Sequence, residues 1–215
     1  MIIQLLEMLM HIDKYLLVLV SEYSVITYVI LFFIIFLETG VVLAPFLPGD
    51  SLLFAAGALA ATGLFDIWFL WLVIFVASVL GDTVNYHIGQ AIGVKIFTKE
   101  TSWFFRRDYL VKTQEFYEKN GKKTIILARF IPIIRTFAPF VAGIGTMSYL
   151  TFLTYNVIGA FLWSAIFIFG GYFFGNINWI KENFGLFIII IILISIIPII
   201  KGVISTVLAS RKKTK

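Results

Sequence analysis

Long apolar stretches without charge are the feature that most limits what this chain can fold into. Residues 148–175 contain no charged side chain, and neither do residues 183–200. A third run begins at Ile67 and reaches Val94, with only Asp82 and His87 interrupting it. Apolar stretches of 18 or more residues are typical of helices that cross a bilayer. The sequence therefore predicts an all-α integral membrane protein that crosses the membrane several times.

The composition supports a membrane protein and excludes several kinds of site. Hydrophobic residues make up 60% of the chain and charged residues 13%, whereas soluble domains are about half apolar and a quarter charged. The absence of cysteine excludes disulfides, thiolate chemistry and cysteine-built zinc sites. Two histidines, His11 and His87, make a poor ligand set, so neither a metal nor a cofactor is expected. The N-terminus lacks the pattern of a cleaved signal peptide, so we expect Met1 to be retained.

The basic excess of +5 is concentrated in two regions. No Lys or Arg lies between Lys14 and Lys95, whereas residues 95–123 carry eight against four acids, and the last residues add four more. Positive charge concentrates on the cytoplasmic side of membrane proteins and contacts anionic headgroups there. We therefore expect the middle loop and the C-terminus to be cytoplasmic, and we expect no nucleic-acid partner.

Four of the five prolines fall in two segments, residues 24–63 and 124–146. A proline inside a helix removes a backbone hydrogen bond and costs about 3 kcal/mol. Irregular backbone at membrane depth is tolerated only where protein or water surrounds it. Both segments are therefore predicted to be re-entrant hairpins, each made of a half-helix, a turn and a second half-helix. The residues expected to break the helices are Pro45, Pro48, Gly49, Pro132 and Pro139.

The two hairpins also resemble each other, PFLPGDSLLFAAG (45–57) against RFIPIIRTFAPFVAG (129–143). Given the predicted topology, they enter the membrane from opposite faces. Opposed broken helices in an inverted-repeat arrangement are typical of transporters whose site lies near the midplane. The remaining predicted segments of this single membrane domain are an apolar or interfacial N-terminal helix (1–23), transmembrane helices (67–96, 148–175 and 184–209), a cytoplasmic amphipathic loop (97–123) and a basic cytoplasmic tail (210–215). Whether the N-terminal helix spans the membrane or lies at the interface is left open by the sequence.

The charges within the hairpins are segregated by sign. Hairpin one carries Glu38 and Asp50, and hairpin two carries Arg129 and Arg135. Each would cost ~2.5–3.5 kcal/mol at the membrane centre. One interpretation is a set of ion pairs that only locks the hairpins together, although such pairs are often replaceable by apolar residues without loss of stability. The other is a site in which the arginines bind an anionic headgroup as a fork and the acids exchange protons.

The stretch GDTVNYHIG, between the hairpins, offers further polar groups. Asp82, Asn85 and Gly89 are spaced to share one helix face, so Asp82 and Asn85 are candidates for lining the same cavity. An equally weighted alternative places Asp82 in water near the cytoplasmic end of the helix, with the glycines allowing close packing. We interpret His87 as a packing residue.

Four stretches of this chain resemble the DedA family of bacterial inner-membrane proteins, also called SNARE-associated or VTT-domain proteins. They are FLETGVVLAPFLPGD, GDTVNYHIG, ARFIPIIRTFAPFVAGIG and YNVIGAFLWSAIFIFGGYFFG, and the likeness runs from about residue 30 to residue 175. The resemblance implies opposed re-entrant hairpins, dependence on the proton motive force, and roles in envelope lipid homeostasis, including undecaprenyl phosphate recycling by some members and lipid scrambling by eukaryotic relatives. It also implies that the family's essential acids correspond to Glu38 and Asp50 and its essential arginines to Arg129 and Arg135. It does not specify the substrate.

The favoured function is a flippase-like translocase of an anionic lipid, such as undecaprenyl phosphate or a phospholipid, linked to the proton motive force. Its expected partners are membrane lipids and protons, with a homo-oligomer as an open alternative to a monomer. The competing hypothesis is a proton-coupled exporter of small cations or drugs, in which the acids bind the cation and the arginines act as gating counter-charges. An enzyme is not expected, because no nucleophile–histidine arrangement is found.

Overall fold

A computed structural model describes residues 24–41, 49–92, 107–183, 186 and 190, and every regular element within these ranges is helical. The elements are α1 (Ser24–Gly40), α2 (Gly49–Ala60), α3 (Ile67–Ile92), α4 (Arg107–Asn120), a 3₁₀ turn (Gly121–Lys123), α5 (Thr124–Ala128), α6 (Pro132–Ile144), α7 (Tyr149–Gly175) and α8 (Asn178–Glu182). The predictions for residues 1–23, for Pro45 and Pro48, for almost all of helix 184–209 and for the basic tail lie outside the described residues. Within them, the predicted helical class is confirmed.

Two of the described helices are long and apolar enough to cross a membrane. The qualifying stretches are Ile67–Ala91 of α3 and Tyr149–Gly175, which is the whole of α7. At 1.5 Å per residue, the 26 residues of α3 and the 27 of α7 extend about 39–40 Å, against a hydrocarbon core of about 30 Å. Both helices also leave large apolar side chains uncovered, among them Trp68, Leu72, Leu150, Ile166 and Phe173. Exposed apolar surface of this kind is typical of helices that face lipid or another protein.

The other apolar helices among the described residues are shorter than the bilayer core. Helix α1 has 17 residues, α2 has 12 and α6 has 13, so they extend about 26, 18 and 20 Å. Helix α5 has only five residues, and a turn at residues 129–131 separates it from α6. Helix α6 begins at Pro132, where the missing backbone N–H is not needed. Pro139 lies inside the same helix.

The chain divides into two compact units. The larger unit contains the described residues 25–41, 49, 68–92 and 107–166. Within it, glycines allow α3 to approach two other helices: a Cβ placed on Gly40 of α1 would lie only 3.3 Å from the carbonyl oxygen of Gly81 in α3. Gly89 of α3 and Gly143 of α6 each face a backbone carbonyl of the opposite helix with no room for a Cβ. Small residues at helix crossings are what close packing inside a membrane requires.

Helix α4 lies within the predicted amphipathic loop and packs on α6 in the same unit. Its buried side includes Leu110 and Thr113. The Tyr117 hydroxyl donates a hydrogen bond to the carbonyl oxygen of Ala138, at 2.9 Å. Removal from water raises the pKa of the Tyr117 phenol above its ordinary value, and the negative charge of Asp82 raises it further. The Tyr117 phenol therefore stays protonated as a donor to α6.

The smaller unit contains the described residues 24, 50–67, 167–183, 186 and 190. In it, α2 packs directly on the last turns of α7. Gly57 faces the carbonyl group of Ile168, and Gly171 faces the carbonyl group of Phe54. A Cβ on either glycine would overlap that backbone atom, so the two helices touch main chain to main chain.

Candidate functional site

Two buried ion pairs are found among the described residues of the larger unit, and their members are called the four-charge set below. Arg129 Nη2 donates to Asp82 Oδ2 at 2.5 Å, and Arg135 Nη2 donates to Glu38 Oε1. The four residues are between 0% and 6% exposed. Two carboxylates and two guanidiniums sum to zero, which lowers the cost of placing charge in an apolar interior.

Four short stretches of the chain position these side chains. Glu38 lies in the last turn of α1 and Asp82 near the middle of α3, whereas Arg129 lies in the turn after α5 and Arg135 in the first turn of α6. Gly159 of α7 makes room for Arg129, because a Cβ there would lie 3.1 Å from its Cδ and Nε atoms. The break between α5 and α6 thus places both arginines beside the unbroken helices α3 and α7.

Two asparagines connect the set to the surrounding backbone. Asn156 of α7 accepts a hydrogen bond from Arg129 Nη2 through Oδ1, at 2.5 Å, and donates from Nδ2 to the carbonyl oxygen of Val79, at 3.1 Å. Asn85 donates from Nδ2 to the carbonyl oxygens of Thr39, at 3.0 Å, and Thr136, at 2.9 Å. Asn85 therefore ties α3 to both α1 and α6 at the level of the ion pairs.

The indole of Trp163 lies beneath both arginines. The guanidinium carbon of Arg135 is 5.3 Å from the ring centroid and that of Arg129 is 5.9 Å from it. Trp163 is fully buried. Cation–π attraction of this kind is worth about 0.5–2 kcal/mol per pair, so one neutral side chain partly offsets the repulsion between two like charges.

Part of the hydrogen-bonding capacity of the site is unused. Arg129 Nε and Nη1, Asp82 Oδ1 and Asn85 Oδ1 are buried and have no hydrogen-bond partner among the described residues. A buried polar group left without a partner costs about 1–3 kcal/mol, and such groups are commonly satisfied by water, an ion or a ligand. The arrangement can therefore take up a small polar or anionic group beside Arg129.

The structure brings together most, but not all, of the residues that the sequence predicts for the site. Glu38, Arg129, Arg135, Asp82 and Asn85 are all buried in the larger unit. The alternative in which Asp82 meets water is wrong, because Asp82 is 2% exposed and paired with Arg129.

Asp50 and the residues predicted to break helices are not members of the four-charge set. Asp50 lies in the first turn of α2 and belongs to the smaller unit. Gly49 is buried against the Glu38 carboxylate, and a Cβ at Gly49 would overlap it. Gly49 and Pro132 each begin a described helix, α2 and α6, whereas Pro139 lies inside α6 without ending it.

Asn156 and Trp163 were not among the residues predicted from the sequence. Asn156 carried a usable signal, because it is a polar amide within the charge-free run 148–175, and polar residues in spanning segments tend to be functional. Trp163 carried none, because a tryptophan in an apolar run is indistinguishable from a packing residue until the arginines are placed next to it.

Comparison with known proteins gives a consistent set of similarities. The VTT domain matches residues 47–173. The chain is 55% identical to Protein DedA of Escherichia coli (strain K12) over 196 residues, which is 90% of each chain. It is 44% identical to the uncharacterized membrane protein Rv0364 of Mycobacterium tuberculosis over 77% of this chain and 73% of that one. It is 33% identical to the inner membrane protein YqjA of Escherichia coli (strain K12) over 69% and 68%. No solved structure matches the chain.

Proposed function

Since this chain belongs to the DedA family of VTT-domain membrane proteins, we propose that it is a lipid translocase of the bacterial inner membrane. Its cargo is an anionic lipid such as undecaprenyl phosphate or a phospholipid, its transport is linked to the proton motive force, and its role is envelope homeostasis. The observation that carries the proposal is the pair of buried arginines, each held by a buried carboxylate, beside unused hydrogen-bond donors on Arg129.

The proposed mechanism is an exchange of partners at the arginines. A guanidinium fork matches the oxygens of a phosphate as well as those of a carboxylate. When Glu38 takes up a proton, its attraction for Arg135 falls, and Arg135 can bind a phosphate headgroup instead. When the proton leaves, the ion pair re-forms and the headgroup is released. Asp50 is proposed as a second proton-exchanging group on the family resemblance alone.

The proposed architecture is a pair of re-entrant hairpins, residues 24–63 and 124–146, in an inverted repeat. Its support is the length of their helices, since none of α1, α2, α5 or α6 spans about 30 Å. The middle loop and C-terminus are proposed to be cytoplasmic, on the charge distribution of the sequence. Assembly into a homo-oligomer and transport without covalent catalysis are part of the same proposal.

A proteoliposome assay tests the proposal. Fluorescent undecaprenyl phosphate and a fluorescent phospholipid are placed in the inner leaflet, and their exposure is followed with and without an imposed proton gradient. We expect wild-type protein to move at least one lipid faster than empty liposomes do. Arg135→Ala should abolish this transport, and Arg135→Lys should lose most of it because the lysine ammonium keeps the charge but not the planar fork.

The matched control is Lys119→Ala, which removes one positive charge from the exposed side of α4 and should transport lipid as the wild type does. Equal rates in wild-type and empty liposomes, for both lipids and with either gradient, would contradict the translocase proposal.

A cation exporter remains the second candidate, because two buried carboxylates, Glu38 and Asp82, could also hold a cation. The two candidates predict opposite orders of sensitivity. An exporter should tolerate Arg135→Lys better than Glu38→Gln, and its substrate should be a soluble cation. A lipid enzyme would release phosphate in detergent, which neither transporter should do.

A further inference from the structure

The two ion pairs of the four-charge set differ in how the arginine is held. Nη2 of Arg129 donates to two acceptors at once, Asp82 Oδ2 and Asn156 Oδ1, both at 2.5 Å. One acceptor is an acid that can lose its charge by taking up a proton, and the other is an amide that carries no charge at any physiological pH. The two acceptors therefore respond differently when a proton arrives.

Asn156 is fixed on its other side as well. Its Nδ2 donates to the carbonyl oxygen of Val79, at 3.1 Å, so the amide joins α7 to α3 and its Oδ1 faces Arg129. Gly159, one turn further along α7, leaves the space that the arginine stem occupies. Because none of these contacts depends on a titratable group, Arg129 keeps its position when Asp82 becomes neutral.

The remaining donors of Arg129 define what can bind there. A guanidinium has five N–H groups, and the two on Nη2 are taken by Asp82 and Asn156. The three on Nε and Nη1 have no acceptor among the described residues, and Asp82 Oδ1 has no donor. A phosphate oxygen can accept from these N–H groups. While Asp82 is ionised it repels such an anion, but once protonated its hydroxyl can donate to the anion.

Other charged and titratable groups surround Asp82. Arg129 and, more weakly, Arg135 of α6 act on it electrostatically, and its charge in turn acts on Tyr117 of α4. Glu38 of α1 is paired with Arg135, and Asn156 of α7 is neutral. Loss of the Asp82 charge thus leaves two guanidiniums facing one carboxylate. An incoming monoanion makes the set neutral again.

We propose that Asp82 and Asn156 complete the Arg129 half of the site. Asp82 is the proton-controlled counter-ion whose neutralisation frees Arg129 Nε and Nη1 for the phosphate of an anionic lipid. Asn156 is a positioning residue that holds the guanidinium in both states. At this half of the site, one proton on Asp82 accompanies each monoanionic headgroup. This inference rests on the proposed function for the identity of the anion, and it assigns roles to two residues beyond Glu38, Asp50, Arg129 and Arg135.

Binding to the purified full chain in a non-ionic detergent tests the inference. The probes are dioctanoyl phosphatidylglycerol and dimethyl phosphate, because both keep a single negative charge at pH 5.5 and pH 8 and only the first is a lipid. Isothermal titration calorimetry should show that wild-type protein binds the lipid about ten-fold more tightly at pH 5.5 than at pH 8. Dimethyl phosphate should bind more weakly, since it lacks chains. Equal affinity for both probes would overturn the assignment to a lipid.

Three variants separate the two roles. Asp82→Asn should bind the lipid more tightly than wild type does at pH 8, so that its pH dependence falls to the part that Glu38 contributes at Arg135. Asn156→Ala should lower affinity at both pH values by a similar factor while keeping the pH dependence, which a purely structural role would not predict. Glu118→Gln, which removes a carboxylate from the exposed side of α4, is the control and should behave as wild type.

If Asp82→Asn does not fold, a double variant still tests the inference. The double variant Asp82→Asn/Asn156→Asp returns a carboxylate to Arg129 from α7, and we expect it to fold and to bind lipid with restored pH dependence. A folded Asp82→Asn or double variant with the opposite behaviour would overturn the inference while leaving the translocase proposal intact. If wild type neither binds phosphatidylglycerol at either pH nor moves lipid in liposomes, the proposed function itself fails.

Discussion

At the scale of single residues, Trp163 shows how a neutral side chain can support two charges. Its indole lies 5.3 Å from the Arg135 guanidinium carbon and 5.9 Å from that of Arg129, and both arginines are nearly excluded from solvent. Two like charges in such a place repel each other strongly, since the low local dielectric screens little. The negative face of one aromatic ring attracts both.

Replacing the Trp163 indole should therefore destabilise the protein, and the loss should be larger for a smaller replacement side chain. Trp163→Phe keeps a smaller aromatic face, and we expect it to lower the free energy of unfolding by about 1–2 kcal/mol. Trp163→Ala also leaves a cavity and should cost about 3–5 kcal/mol. Thermal unfolding of the purified chain in detergent measures both. Trp179→Phe, at a 56% exposed position, is the control, and an equal shift in Trp163→Phe and Trp179→Phe would contradict this role.

The residues of the site were predictable to different degrees. Glu38, Arg129 and Arg135 are visible in the sequence because a charge within an apolar run is costly unless it has a use. Their pairing is not visible, because Asp50 and Asp82 are both acids and only tertiary packing decides which one meets Arg129. The choice of Asp82 follows from α3 passing beside the turn at 129–131, and no local pattern encodes that crossing.

At the scale of helices, contact between α2 and α7 depends on which glycine faces the neighbour. Gly170 and Gly171 are adjacent in α7, so they face different directions around the helix axis. A Cβ on Gly170 would lie 3.6 Å from the Phe54 ring, an ordinary contact, whereas a Cβ on Gly171 would overlap the Phe54 carbonyl. The same substitution should therefore have opposite effects at two neighbouring positions.

We expect Gly171→Ala to push α2 away from α7 and to destabilise the protein by about 1–3 kcal/mol. Gly170→Ala should be neutral or stabilising by up to about 1 kcal/mol, because alanine favours helix. The melting temperatures of both variants in detergent, compared with that of wild type, test this prediction. Equal destabilisation by both substitutions would mean that the close approach of the two backbones is not what the glycines provide.

The long helices were predictable because their signal is length with little charge: α7 has no charged residue, and α3 has Asp82 alone. The short helices were harder, since the start of α6 at Pro132 follows from local proline chemistry but the five residues of α5 do not. The turn at 129–131 carries a site arginine and ends at Ile131, whose extended backbone is what a following proline favours.

At the scale of the whole molecule, the absence of cysteine makes the proposed topology directly testable. Thr62 is exposed in the connection before α3, and Lys112 is exposed on α4, after it. If α3 crosses the membrane once, these two positions lie on opposite sides. In the proposed topology, Lys112 is cytoplasmic and Thr62 lies outside.

Single cysteines at these two positions should therefore label differently with a membrane-impermeant maleimide. In intact cells whose outer barrier has been opened, Thr62→Cys should react at once, and Lys112→Cys should react only after the inner membrane is permeabilised. Ile177→Cys, in the exposed turn after α7, should label like Thr62→Cys. Labelling of Thr62→Cys and Lys112→Cys from the same side would rule out the proposed arrangement of helices.

The neutrality of the four-charge set also determines what membrane voltage can act on. One elementary charge moved across 100 mV exchanges about 2.3 kcal/mol of electrical work with the field. Two carboxylates and two guanidiniums that move together exchange none, so the closed site is electrically silent wherever it lies in the bilayer. The field acts only on whatever unbalances the set, a proton or a headgroup. A proton and a monoanionic headgroup that enter together leave the set neutral again, so the pH gradient, and not the voltage, drives the loaded site.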